Sequence, residues 1–400
     1  MYLIKYFFIY CSLLFVPMLA QSVYTSKYSN EFLNIGVNAR NIAMGNTSVA
    51  FTGDVTSAYW NPAGLTKIAH KQEIAAMHNE YFGGMAQYNY IGASIPIDSS
   101  SRFAISYIRL SIDDIPDTRY LFDNSGNNNS NVYGPIDYNK IKYFSAADNA
   151  FLISFAKQNK KFGAAKYLGM YKYGVRTFLN DSSGNNLSFG GNFKIIHRKI
   201  GQFADAWGFG LDVGAQMVYN KWQFGAFLKD ASNTFNFWNI NSDMFKTAYS
   251  TYNTLDSTSQ NSLPSKTLEI TLPKLIVGLS RSLYMNKTKS IQLRPSLDVD
   301  FTFDGKRNVL IKSKTISGDV KVGLELCYKK KLFIRTGINN FQELKDYNGS
   351  KYYTLQPNAG VGVQFTRFAL DYAIINPANA SVGLYSHVFS VRLGLNDVKK

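Results

Sequence analysis

From Ile291 to Asp304 the chain alternates without a break. Ile291, Leu293, Pro295, Leu297, Val299, Phe301 and Phe303 occupy one face; Gln292, Arg294, Ser296, Asp298, Asp300, Thr302 and Asp304 occupy the other. A period of two marks an extended strand with one apolar and one polar side. The run exceeds the usual soluble strand and is long enough to cross a bilayer at a tilt. Pro295 suits a bulge or a position where the missing N–H costs little.

The same alternation returns in Val320, Val322, Leu324, Leu326 and Tyr328, in Phe209, Leu211, Val213, Ala215, Met217 and Tyr219, and in His387, Phe389, Val391, Leu393 and Leu395. Further strands are expected from near Glu73 and Ala86, and over Arg102 to Ile112, Phe151 to Lys157, Leu168 to Phe178 and Leu187 to Lys199. Trp207 to Tyr219 and Trp222 to Leu228 form a hairpin through Asn220-Lys221, and strands resume over Thr271 to Leu283. The chain is all-β. Periodicity alone does not separate a soluble sandwich, whose greasy faces meet, from a membrane barrel, whose greasy face points outward.

Three features favour a transmembrane antiparallel β-barrel of about fourteen strands. Aromatic strand ends such as Tyr88-Asn89-Tyr90, Tyr171-Lys172-Tyr173 and Phe235-Asn236-Phe237-Trp238 suit interfacial girdles. Arg294, Asp298, Asp300, Lys321, Glu325 and Arg392 recur on the polar faces, where a solvated lumen accepts charge more readily than a dry core. Connections fall into two lengths, with short turns set against long polar loops at Asp113 to Asn149 and Asn239 to Lys266.

Residues 1–20 combine Lys5, an apolar run from Tyr6 to Phe15, Pro17 and Ala20, the three regions of a secretory signal peptide. Cleavage after Ala20 leaves Cys327 as the single cysteine, which excludes a disulfide framework. Behind it, Asn34 to Ile68 is punctuated by Gly45, Gly53 and Asn61-Pro62-Ala63-Gly64 into pieces too short to be stable helices on their own. Pro62 pushes Asn61 away from the α region, and Gly64 can end a short helical turn. This unit needs walls around it, so residues 21–70 are expected inside the barrel, 71–396 form its wall, and 397–400 are a tail.

Chemistry of the catalytic kind is thin. His70, His78, His197 and His387 are too scattered for a metal site, and Asp113-Asp114 reads as a loop or strand-end pair. There is no G-x-S-x-G elbow, P-loop or H-E-x-x-H helix. The sequence points to no enzyme, no metal and no cofactor. The formal charge is +16, with lysines scattered over strands and turns instead of gathered into a nucleic-acid footprint. Anionic lipid, lipopolysaccharide included, or an acidic protein partner fits that spread better.

Ala39-Arg-Asn-Ile-Ala-Met-Gly45, Val49-Ala50, Asp54 and Trp60-Asn-Pro-Ala-Gly-Leu65, with Phe368 to Ala373 and His387 to Leu395 near the end, resemble the PorV/PorQ family of Bacteroidetes outer-membrane proteins. These are relatives of the FadL-type fatty acid transporters. The resemblance implies an outer-membrane barrel with an N-terminal hatch, to which Gly45, Trp60, Asn61, Pro62, Ala63 and Gly64 belong. It also implies work in type IX secretion, binding cargo C-terminal signals and translocon or attachment-complex subunits through external loops. WNPAGL is nearer the broad FadL-like form than the WNPAK of PorV itself, and the tail lacks a terminal aromatic, so a paralogue is implied. The competing expectation is a FadL-like channel for hydrophobic small molecules such as long-chain fatty acids, with Phe235, Phe237 and Trp238 as candidate binding residues.

Overall fold

The computed structural model describes residues 23–25, 28–119, 121, 136–159, 187–219, 221–244, 265–376 and 385–397. Strands β1 (His70–Tyr81), β2 (Ala86–Pro96), β3 (Ser101–Asp117), β4 (Lys142–Gln158), β5 (Leu187–Ile200) and β6 (Ala204–Tyr219) run antiparallel, each beside the next. Strand β7 is Trp222–Lys229 continued by Thr234–Ile240, both pairing with β6. Strand β8 is Lys266–Thr271 continued by Lys274–Arg281 and Leu283–Tyr284. Strands β9 (Ile291–Thr302), β10 (Ser317–Tyr328), β11 (Leu332–Lys345), β12 (Lys351–Gln364), β13 (Phe368–Ile375) and β14 (Ser386–Asp397) complete the series. β14 then pairs with β1 from His387↔Glu80 to Asp397↔His70. The wall is a closed antiparallel barrel of fourteen strands, so its ladder has no open edge.

Alternation sets which side each residue faces. On β6, Trp207, Phe209, Leu211 and Val213 are exposed on the outer surface, whereas Gly208, Gly210, Asp212, Gly214 and Gln216 are buried within. On β9, Leu297 is exposed while Ser296, Asp298 and Asp300 are buried, and on β10 Val322, Leu324 and Leu326 are exposed opposite buried Glu325. Ile91, Ile105, Phe155, Phe193, Ile334, Val361 and Phe389 extend this apolar exterior around the barrel. Each such side chain gains about 1.5–3 kcal/mol on leaving water. A wall closed on itself and greasy outside is built for lipid.

Several boundaries depart from the sequence reading. β3 runs five residues past Ile112 through an irregularity between Ile112 and Ile115, and β4 begins at Lys142, so Asp113-Asp114 lies in a wall bulge and the loop is correspondingly shorter. Phe235, Phe237 and Trp238 stand in the second half of β7, because Asp230 to Asn233 only interrupts the strand, with Asp230 and Asn233 at positive φ. The strand expected over Thr271 to Leu283 is broken at Leu272-Pro273. The strand expected over Leu168 to Phe178 lies outside the described residues, and β4 pairs directly with β5. Residues 1–20, expected to be a signal peptide, and residues 398–400 are outside them too.

The barrel end that carries Asp397 has short connections at 97–100, 220–221, 285–290, 329–331 and 365–367; segment 159–186 departs from that pattern. The other end carries the long connections 118–141, 241–265, 303–316 and 376–385 beside the short 82–85, 201–203 and 346–350. Short turns belong to the periplasmic side and long loops to the exterior, which sets the orientation.

Before β1 the chain turns inward. Val23–Thr25 pairs in parallel with Leu268–Ile270, above the point where β9 ends with Thr302 opposite Lys274. Then follow a 3-10 turn at Glu31–Asn34, helix α1 (Ala39–Ala43), helix α2 (Ser57–Trp60) and a 3-10 helix at Pro62–Lys67. Asn38 caps α1 by accepting from Arg40 N, and Gly45 ends that turn at φ +65°. Nearly every side chain from Val37 to Leu65 is buried, packed against the inward faces of the wall strands.

Candidate functional site

Asn61, Pro62, Ala63 and Gly64 sit at the centre of this luminal segment. Asn61 is extended (φ −169°), as a residue before proline should be; its Oδ1 accepts from Ala63 N, and its Nδ2 donates to Val49 O and Ala215 O, each at 3.0 Å. One side chain thus caps a helix and ties the segment to β6. Gly64 does not end a helical turn, contrary to the expectation: it lies within Pro62–Lys67, and a Cβ there would come within 2.3 Å of Thr52 O. Gly45 lies similarly close to the backbones of β10 and β11, 2.8 Å from Ile338 N for a built Cβ. The wall answers with its own glycines: a Cβ on Gly337 would meet Met44 C at 2.2 Å, and one on Gly225 would meet Val49 O at 2.2 Å.

Carboxylates on the wall then fasten the segment. Glu325 accepts from Arg40 (Nε to Oε2, 2.9 Å; the NH2 nitrogen to Oε1, 3.0 Å), Arg335 (2.7 Å) and Arg294 (3.0 Å), and Arg335 also reaches Asp371 at 2.7 Å. Burial opposes the charge on Arg40, but the Glu325 carboxylate outweighs it and holds the guanidinium above its ordinary value. Asp298 accepts from the backbone N–H groups of Ser48 (2.7 Å) and Val49 (3.0 Å). Glu73 accepts from Val55 N at 2.7 Å, and Arg392 reaches Asp54 at 3.2 Å. Charged hydrogen bonds of this kind are about twice as strong as neutral ones.

Toward the outer end the packing opens into a cavity of about 540 Å³. Its apolar side is Phe32, Leu33, Ile35, Tyr59 and Trp60 of the luminal segment; its polar side includes Lys229, Lys274 and Lys321 of the wall. Trp60 donates from Nε1 to Val37 O at 3.0 Å and meets Tyr59 edge to face at 4.8 Å. Tyr59 donates to Leu33 O at 2.6 Å, and burial pushes its hydroxyl well above its ordinary pKa, so it stays a neutral donor. Lys274 and Lys321 share Asp300 (3.2 and 2.8 Å). Lys229 differs: its ammonium bonds only neutral oxygens, Leu33 O and Asn34 Oδ1, and has no ion pair among the described residues. At the mouth Arg307 lies over the Tyr28 ring at 5.0 Å; against partial burial, its hydrogen bonds hold the Asp304 carboxyl below the usual range.

Sequence reasoning missed Lys229 and the cavity, because nothing in a strand's alternation says that a lysine will lack a carboxylate. None of Phe235, Phe237 and Trp238 lines the cavity. Phe235 and Phe237 alternate with buried Thr234 and Asn236 and so face outward, while Trp238 donates to Glu269 at 2.6 Å. Of the histidines, His78 bonds Asn89 and Glu80 and His387 bonds Tyr372; no cluster of potential metal ligands is found among the described residues.

No family model matches the sequence, and a search of curated proteins finds no match. Solved structures do match. CymD, a monoaromatic hydrocarbon channel, aligns with a TM-score of 0.50 at 11% identity over 90% of this chain and 98% of its own. The toluene transporter TodX of P. putida aligns with a TM-score of 0.50 at 12% identity over 91% of this chain and 99% of its own. A FadL homologue of Pseudomonas aeruginosa aligns at 0.45 and 11% identity, over 89% and 97%. At these identities the likeness is one of fold. The chain is a bacterial outer-membrane β-barrel that shares its fold with CymD and TodX.

Proposed function

We propose that the chain is a non-enzymatic outer-membrane channel for hydrophobic small molecules, with an amphiphile such as a long-chain fatty acid as its ligand. The observation that carries this reading is the outward cavity. Its volume falls within the range of about 300–1,000 Å³ usual for small-molecule sites, and it joins an aromatic side to one unpaired ammonium. The ligand's apolar body would lie along Phe32, Leu33, Tyr59 and Trp60, and its carboxylate would meet Lys229. The names of the similar structures, hydrocarbon channel and toluene transporter, agree in substrate class. Onward passage requires the luminal segment to move, since it fills the barrel below the cavity.

The test is titration of the purified barrel with oleate and with toluene, followed by uptake into proteoliposomes. Saturable oleate binding that weakens in Lys229→Met is expected; no saturable binding of either compound would overturn the reading. The second reading, a PorV/PorQ-like component of type IX secretion, rests on the resemblance of Ala39 to Gly45 and Trp60 to Leu65. It predicts that pull-down from native membranes recovers secretion subunits or cargo; recovery of these, with no change in fatty acid uptake on deletion, would favour it over the channel.

A further inference from the structure

The short turns at the periplasmic end of the barrel are unevenly charged. From β6 round to β11 they carry Lys221, Lys287, Lys289, Lys329, Lys330 and Lys331, all exposed, and segments 219–223, 281–293, 327–333 and 363–368 contain no aspartate or glutamate. The turns lie side by side. Lys329 N donates to Ser290 O and Gln364 N donates to Lys331 O, each at 2.7 Å, so 285–290, 329–331 and 365–367 form a row. Trp222, next to Lys221, pairs with Arg281 on the neighbouring strand. Among the described residues none of the six lysines forms an ion pair. The carboxylate nearest to Lys329 in sequence, Glu325, faces the lumen and is already held by Arg40, Arg294 and Arg335.

Four of these lysines also stand where the backbone disfavours them. Lys221, Lys289, Lys329 and Lys330 have φ of +68°, +53°, +50° and +57°. There a Cβ crowds the following carbonyl, and glycine, asparagine and aspartate are the usual occupants. Elsewhere among the described residues the rule holds: apart from Phe82, every other non-glycine residue at positive φ is Asn or Asp. Lys329 and Lys330 are the central pair of a turn closed by Lys331 N donating to Tyr328 O at 3.0 Å, and Asn-Gly is the favoured pair for a turn with two positive φ. What the four positions share is a positive charge, not a conformational need.

The surroundings identify the partner. Trp222, Tyr328 and Phe365 flank the same turns on the outward alternation of their strands, with Lys329 Nζ 5.2 Å from the Tyr328 ring and the Arg281 guanidinium 4.7 Å from the Trp222 ring. Aromatic residues at strand ends lie at head-group level, and lysine stems run along apolar surface while their ammonium groups stay at the polar layer. We propose that this arc of the rim binds the phosphodiester head groups of anionic phospholipids in the periplasmic leaflet, as a row of lipids along the turns. Basic clusters beside a membrane are drawn to anionic lipid, and salt weakens the attraction. The inference is independent of what the lumen carries.

The experiment places the full barrel in bilayers that mix phosphatidylethanolamine with phosphatidylglycerol, one of the two brominated in turn. Trp207→Phe leaves Trp222 as the outward tryptophan, whose quenching reports which lipid sits at the rim. Phosphatidylglycerol should be preferred about tenfold at low salt, less at high salt, and not at all once the six lysines are changed to Gln. Lys329→Asn with Lys330→Gly gives that turn the pair its backbone prefers. It should raise the unfolding temperature and still lower the preference about threefold, an outcome that a purely structural role would not produce. Equal quenching by both lipids in the wild type, or an unchanged preference in either variant, would overturn the assignment. Saturable binding of polyglutamate to a barrel indifferent to lipid composition would also overturn it and give the face to an acidic protein.

Discussion

The two halves of the lumen hold the same segment by different means. Strands β1 to β5 turn Met77, Tyr88, Tyr90, Ile108, Leu152 and Ile196 inward, and these join Val37, Ile42, Val55, Tyr59 and Trp60 in one apolar cluster. Strands β9 to β11 instead turn Asp298, Asp300, Glu325 and Arg335 inward; of these, Asp298 reaches Ser48 and Val49 and Glu325 reaches Arg40 through charge, while Arg335 braces Glu325. Apolar contact is tolerant of small slips, whereas a carboxylate accepting two specific N–H groups is not. The apolar half supplies adhesion; the ionic half sets position. The difference also locates the cavity, which opens where the segment's residues 28–35 pass from one half toward the other.

The largest effect should come from the ionic half. Glu325→Gln leaves Arg40, Arg294 and Arg335 buried around a neutral amide, and breaking a buried pair of this kind costs about 3–5 kcal/mol. The urea midpoint in micelles should fall accordingly, and an unchanged midpoint would show that solvent already screens the cluster. On the apolar side, Ile108→Ala should cost about 2–5 kcal/mol, the range for a fully buried branched side chain, with the segment's position retained. If Ile108→Ala instead released the segment, seen as increased permeability to large antibiotics, adhesion and position would not be separable in this way.

At the boundary between the halves, Lys229→Met should leave the midpoint nearly unchanged or raise it, because a buried ammonium with neutral partners is replaced by a side chain of similar length. Oleate affinity should drop about tenfold, the worth of one charged hydrogen bond. A last effect is a pH dependence and concerns Lys67. This side chain is half-buried by area, and burial of its ammonium and then Arg294 push its pKa down to about 7 from 10.5. The folded state therefore binds fewer protons than the unfolded chain between those values, and stability should rise with pH across that window, the full penalty being present below about 7. Lys67→Met should flatten that slope; an identical slope in the variant would assign it to another group.

The fold was largely legible because a two-residue period can be read without knowing any partner. β6, β9, β10 and β14 alternate cleanly, and their inward and outward faces are as the alternation requires. Legibility failed where the backbone departs from regularity. β11 slips register between Asn339 and Gln342, which spoils its alternation, and the positive-φ residues Asp230 and Asn233 made a strand interruption look like a strand end. The punctuated stretch around Asn61 could be recognised as needing walls, but its contacts could not be named. That Asp298 caps Ser48 and Val49, or that Gly337 leaves room for Met44, depends on residues hundreds of positions apart meeting in three dimensions.

The central claim is that a ligand held in the outward cavity can pass only when the luminal segment moves. Ser390 Oγ donates to Asn38 Oδ1 at 2.9 Å, so Asn38→Cys with Ser390→Cys places two thiols where β14 touches the segment. Oleate binding and oleate transport into proteoliposomes should be measured with this pair oxidised and reduced, against the wild type with its buried Cys327. The account predicts that oxidation leaves binding intact and stops transport, and that reduction restores it. Equal transport in the oxidised and reduced states would contradict it.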